Sequence, residues 1–163
     1  MSNETLERFC FRVCGNDFKG VFSADYIPLF LAAKSRFVII ANLGARRGVR
    51  TELPVGHFVT IAALPDVILY IDSYGLPSVE PNINKFLKIC RRPVQFNLRQ
   101  IQTYDSVYCS FYAMMFTCFV DKFVFRDSMP AIRVPKLRFE KRNLKKNDEL
   151  CVKYLKRILW KIK

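Results

Sequence analysis

Residues 107–120 read Val-Tyr-Cys-Ser-Phe-Tyr-Ala-Met-Met-Phe-Thr-Cys-Phe-Val, 14 residues without one charged side chain. The run is too short to cross a bilayer, which takes about 20 residues. Wound as a helix it is apolar nearly all round, so every side needs a cover. It therefore predicts a buried central helix from residue 107 to about residue 123, with Asp105-Ser106 offering a cap. A chain of 163 residues, 51% of them apolar and 15 of them Phe, can supply that cover within one domain. The same composition excludes disorder for most of the chain.

The cover is expected to be a sheet. Residues 37–43, Phe-Val-Ile-Ile-Ala-Asn-Leu, are rich in β-branched side chains and read as a central strand. Residues 57–64 and 67–72 read as two more, parted by the turn dipeptide Pro65-Asp66. Residues 82–89 read as a short helix and residues 94–101 as an extended segment. Ser23-Ala24-Asp25 offers a cap for a short helix over residues 26–33, and residues 9–22, with Gly15-Asn16-Asp17 and Gly20, read as an irregular opening. Residues 148–163 place Cys151, Leu155, Ile158, Leu159 and Ile162 on one side of a closing amphipathic helix. No repeat or Gly/Ser-rich linker divides the chain. The expectation is one α+β domain over residues 1–163, a small mixed sheet packed against the buried helix.

Charge is unevenly placed. The chain carries 27 Lys and Arg against 14 acidic residues, and 12 of those cations, against three acids, fall in residues 133–163. A basic tail of this kind suits a polyanion partner, because phosphates release counterions when cations bind them. Arg46, Arg47 and Arg50, with Arg91 and Arg92, are candidates to join it in binding DNA. A solvated, solubilising face is the alternative. The opening Met1-Ser2-Asn3-Glu4 lacks the basic and apolar regions of a secretory signal, so the six cysteines are expected reduced in an intracellular compartment. They form no CxxC pair, and no metal is expected.

The chain has a single histidine, so any imidazole chemistry must use His57. With a two-residue turn at 65–66, paired positions sum to 131. His57 and Asp72 then share a face as diagonal neighbours, about 7–8 Å apart at Cβ. A carboxylate there orients an imidazole and stabilises its charged form. Cys109 falls in the first turn of the predicted central helix, where unpaired N–H groups and the helix dipole favour a thiolate. Gln102, seven residues earlier, can donate to a developing oxyanion together with the Cys109 N–H. Cys118, in mid-helix, has no such donors and reads as a buried hydrophobe.

Together Gly56-His57-Phe58, the segment Tyr70-Ile71-Asp72-Ser73-Tyr74-Gly75, and Gln102 seven residues before Cys109 resemble the adenovirus protease (adenain) family, whose clan also holds the SUMO-specific proteases. The resemblance covers roughly residues 10–125 and leaves the basic tail outside. It implies a papain-like arrangement of Cys-helix and His-strand. Cys109 would be nucleophile, His57 base, Asp72 orienting acid and Gln102 oxyanion donor. It also implies an endopeptidase that cuts viral or virus-like capsid precursors after a small residue such as Gly. If viral, the chain would by that resemblance belong to the host nucleus and virion and could be activated by DNA or a basic peptide; a monomer without a cofactor is expected. The chain departs from the clan in having Phe58 where Trp is usual, Ser110 where Gly follows the nucleophile, and Asp72 where the adenoviral branch has Glu. Two alternatives stand beside this reading: a protease removing SUMO or another ubiquitin-like modifier, and a non-enzymatic basic nucleic-acid-binding protein. No membrane partner is expected, although the closing helix could also lie on an anionic surface.

Overall fold

The computed structural model describes residues 2–44, 56–126, 139 and 143–160. The helices are α1 (Asn3–Val13), α2 (Pro81–Ile89), α3 (Cys109–Phe119) and α4 (Leu144–Trp160), and α3 runs on as a π-helical segment, Val120–Arg126. The strands are β1 (Phe18–Ser23), β2 (Phe37–Asn42), β3 (Phe58–Ala63), β4 (Ile68–Ile71) and β5 (Val94–Phe96). They form one sheet in the order β1-β2-β3-β4-β5. The outer pairs run parallel and the inner pairs antiparallel, so the fold is α+β around a mixed sheet.

Both faces of the sheet are covered, which accounts for the apolar run from Phe37 to Ala41 in β2. On one face Val38, Ile40, Phe58 and Leu69 meet α1, α3 and α4. On the other Phe37, Ile39, Ile61 and Tyr70 meet the buried side of α2. Burying a side chain of this size contributes about 1.5–3 kcal/mol, so these two-sided strands dominate the core. Helix α3 lies against β3, and Thr60 Oγ1 reaches across to donate to Ala113 O at 3.0 Å. That bond satisfies the one hydroxyl in an otherwise apolar strand and fixes where the helix sits.

The hairpin register agrees with the sequence reading. Leu64 N–H donates to Val67 O at 2.8 Å around Pro65-Asp66, and Thr60 pairs with Ile71 and Ile61 with Tyr70. Several boundaries differ. The opening is ordered as α1 and β1, with the Ser2 side chain accepting the Thr5 N–H. A short 3-10 turn, Leu29–Ala33, replaces the helix expected over 26–33. Pro28 precedes it in extended backbone, because a proline ring fixes φ and removes a donor. Helix α3 starts at Cys109 behind Tyr108, two residues later than the run begins. Helix α4 begins at Leu144, before the expected 148.

Candidate active site

The antiparallel pairing of β3 and β4 brings the start of one strand and the end of the other to the same edge of the core. His57 directly precedes β3 and Asp72 directly follows β4. The His57 main chain is held there, since its carbonyl accepts the Leu43 N–H at 2.7 Å. His57 Nε2 lies 2.6 Å from Asp72 Oδ1. An ionised carboxylate only accepts, which places the proton on Nε2. Asp72 Oδ1 also accepts the Tyr74 N–H at 2.7 Å.

The other ring nitrogen, Nδ1, is buried without an ordinary hydrogen-bond partner. The Cys109 thiol is near enough to act on the ring. Burial works against a charged imidazole, but hydrogen bonding to Asp72 and Cys109 outweighs it and raises His57 to about 9. For the thiol, burial pushes up while His57 and the backbone amides of Phe58 and Ser110 pull down, and Cys109 ends below the ordinary thiol value. Cys109 is the first residue of α3 and remains partly exposed. Its Sγ lies 3.9 Å from Gly56 O. Gly56 has φ +143°, and a Cβ there would collide with the Asn42 side chain. Any larger residue would thus displace the segment leading into His57.

The acid loop is braced from the segment after β5. Asn97 Oδ1 accepts the Asp72 N–H at 2.7 Å and Asn97 Nδ2 donates to Asp72 O at 2.6 Å. Ser73 O accepts from both Ile101 N and Gln102 N. Gly75, at φ +70°, lets the loop press against the backbone of Arg99 and Gln100, where a Cβ would collide. Gln102 is fully buried between the two halves of the site. Its Oε1 accepts from Ser73 Oγ at 2.6 Å, and its Nε2 donates to Ser106 O at 2.8 Å. One of its two amide hydrogens is therefore committed to the loop that enters α3.

His57, Asp72, Gln102 and Cys109 thus lie in one neighbourhood. Arg46, Arg47 and Arg50 lie outside the described residues. Arg91, just past the Cys90 cap of α2, is exposed and has φ +51°. Arg92 is turned onto the fold: its five N–H donors go to the carbonyls of Cys90, Ser35, Leu64, Ala32 and Lys34. A guanidinium so engaged ties α2 to the 3-10 turn and the β3–β4 hairpin and has no donor left for phosphate. Sequence reasoning missed Asn97. It is buried while the neighbouring Leu98 is exposed, an inversion that no local sequence pattern signals.

Among the described residues no cluster of His, Cys, Asp and Glu could hold a metal ion. Nor, among them, is any helix long and apolar enough to cross a membrane. No protein-family model matches the chain, and no curated protein matches it. Among solved structures the chain is similar to the central domain of the uncharacterized protein Lpg1148 from Legionella pneumophila, at 13% identity and a TM-score of 0.51. The match covers 96% of this chain and 98% of that one, and at such identity it speaks for the fold alone.

Proposed function

We propose that the chain is a cysteine endopeptidase of the adenain-like kind, with the Cys-helix and His-strand arranged as in papain. The observation that carries this reading is the polarisation of one imidazole. Asp72 holds Nε2 of the only histidine at 2.6 Å, while the thiol acting on its other side has been drawn below its ordinary value. A thiolate and an imidazolium side by side form a nucleophile and its acid in one pair.

In this mechanism the Cys109 thiolate attacks the carbonyl carbon of the scissile bond. The oxyanion takes hydrogen bonds from the Cys109 N–H and from the second amide hydrogen of Gln102. The His57 imidazolium then gives its proton to the leaving amine, and a thioester remains. A water deprotonated by His57 attacks the thioester, releases the carboxylate and returns the thiolate. The proposed substrates are viral or virus-like precursor proteins cut after a small residue such as Gly. Gln102→Ala is expected to lower kcat and, because Gln102 is buried, also to lower thermal stability.

Limiting iodoacetamide at neutral pH tests the pair. Cys10 and Cys118 are pushed up by hydrogen bonding with Cys14 and by burial, and Cys151 by burial. Labelling should select Cys109 over these three and weaken several-fold in His57→Ala. Equal labelling of all thiols would count decisively against the reading. Cleavage of short Gly-Gly peptides, compared with SUMO conjugates, then separates an endopeptidase from a deconjugase. A second activity, polyanion binding, draws support from α4, where Lys153, Lys156 and Arg157 are exposed opposite buried Cys151 and Leu155. Cys109→Ala should leave that binding unchanged.

A further inference from the structure

The polar groups of the site continue into α4, an element that the adenain resemblance does not reach. Ser106, three residues before Cys109, donates its hydroxyl to Asp148 Oδ2 at 2.8 Å. Tyr112, one turn into α3, donates its hydroxyl to Asp148 Oδ1 at 2.9 Å. The neighbouring Asn147, with no exposed surface, donates from Nδ2 to Ile101 O at 2.9 Å. Two consecutive residues of α4 therefore hold loop 101–106 at both of its ends. Cys151 and Leu155, buried one and two turns further on, fix α4 itself in the core.

The chemistry of Asp148 makes this more than a chance contact. An ionised carboxylate accepts only, so it draws the Ser106 and Tyr112 hydrogens onto itself. The lone pairs of Ser106 Oγ are then turned outward, and Oγ accepts the Tyr108 N–H at 3.3 Å. Tyr108 is the residue at the mouth of α3, which has no side-chain cap of its own. The same loop carries Gln102, whose amide is fastened to Ser106 O.

We propose that Asp148 and Asn147 are positioning residues: α4 fixes the loop that presents Gln102 and delivers the chain to Cys109. The catalytic consequence rests on the peptidase reading, and the structural one on geometry alone. Misplacing a loop of this kind costs rate without touching the nucleophile.

The test uses the full chain with Asp148→Ala and Asp148→Asn. Three quantities are read: turnover of a fluorogenic peptidyl-Gly-Gly amide, hydrogen exchange over residues 101–109, and alkylation of Cys109 by iodoacetamide. In Asp148→Ala, kcat should fall about 10- to 100-fold with KM within about twofold. Exchange should quicken over 101–109 and not elsewhere, and alkylation should change by less than about threefold, since the His57–Asp72 pair is untouched. Asp148→Asn keeps one acceptor and should recover most of the rate. Wild-type turnover and exchange in Asp148→Ala would overturn the proposal. If that variant does not fold, Asp148→Asn and Tyr112→Phe, each losing one of the two bonds, carry the test through exchange: it should quicken over 101–109 in both even where most of the rate is kept, and wild-type exchange in both overturns the proposal. If the wild-type chain cleaves no peptide, the peptidase reading fails by itself. Exchange still decides the role of α4, and unchanged protection over 101–109 then sinks it.

Discussion

The ring of Tyr74 lies flat on that of His57, with centroids 4.2 Å apart and planes 13° from parallel. The stack lies over an imidazole held by Asp72 at Nε2 and close enough to Cys109 for the thiol to act on it. Tyr104 leans on the outer side of Tyr74, its ring centroid 5.1 Å away. An aromatic face beside an imidazolium favours the charged form by about 0.5–2 kcal/mol. Tyr74→Ala should therefore lower kcat/KM about 10-fold and move the alkaline limb of the pH–rate profile to lower pH. Tyr74→Phe keeps the ring and should behave as wild type. A profile with an unmoved alkaline limb in Tyr74→Ala would assign the stack to packing alone.

The two members of the pair act on stability with opposite signs. His57 is raised from 6.5 to about 9, so its contribution is full below pH 6.5 and is lost as the pH rises through about 9. Cys109 is lowered from 9.0, so its contribution is present above that value and is lost as the pH falls through the lowered one. In the wild-type chain the two slopes partly cancel. Cys109→Ala removes one of them, and its melting temperature should fall as the pH rises above 6.5. The decline should end below pH 9, because the thiol no longer helps to raise the imidazole. Activity should follow a bell whose alkaline limb lies near pH 9 and whose acid limb reports the thiol. A melting temperature independent of pH in Cys109→Ala would show that the imidazole is not held as described.

Arg92 separates structural from polyanion-binding basicity. Its donors reach carbonyls from three parts of the chain, near residues 32–35, at Leu64 and at Cys90. Lysine offers three donors from one point and cannot span that arrangement. Arg92→Ala should destabilise by about 2 kcal/mol, and Arg92→Lys should recover less than half of that. Neither should alter the salt dependence of binding to duplex DNA. Denaturant unfolding and a salt titration read the two effects separately, and a weakened salt slope in Arg92→Ala would return Arg92 to the nucleic-acid face.

What could be read from the sequence was what parity and periodicity control. A two-residue turn at Pro65-Asp66 forces Thr60 opposite Ile71, and from that pairing the placement of His57 and Asp72 at one end of the sheet follows. The uncharged run likewise specified a helix that had to be buried, with Cys109 near its mouth. Helix α1 was legible too, since Leu6, Phe9, Cys10 and Val13 keep a helical spacing, yet the turn residues after it hid the pattern. The braces were not legible. Asn97, Arg92 and Asp148 work through partners distant in the chain, and no local pattern reports a hydrogen bond between residues 106 and 148.

Asn97 offers the sharpest test of how the acid is held. Its amide bonds both the N–H and the C=O of Asp72, at 2.7 and 2.6 Å, in a position that is nearly fully buried. Removing it strands a buried donor and a buried acceptor, each costing about 1–3 kcal/mol, so Asn97→Ala should destabilise by about 2–6 kcal/mol. Asn97→Asp is the more telling change. Its carboxylate still accepts from the Asp72 N–H but cannot donate to the Asp72 carbonyl, and it brings a second negative charge near the acid. Asp72 would then turn away from Nε2. Peptide turnover should fall with KM little changed, and the selectivity of iodoacetamide for Cys109 should fall with it, because an imidazole without its anchor no longer draws the thiol down. Asn97→Asp with wild-type turnover and wild-type labelling would mean that the 2.6 Å contact between His57 and Asp72 keeps itself in place without the clamp behind it.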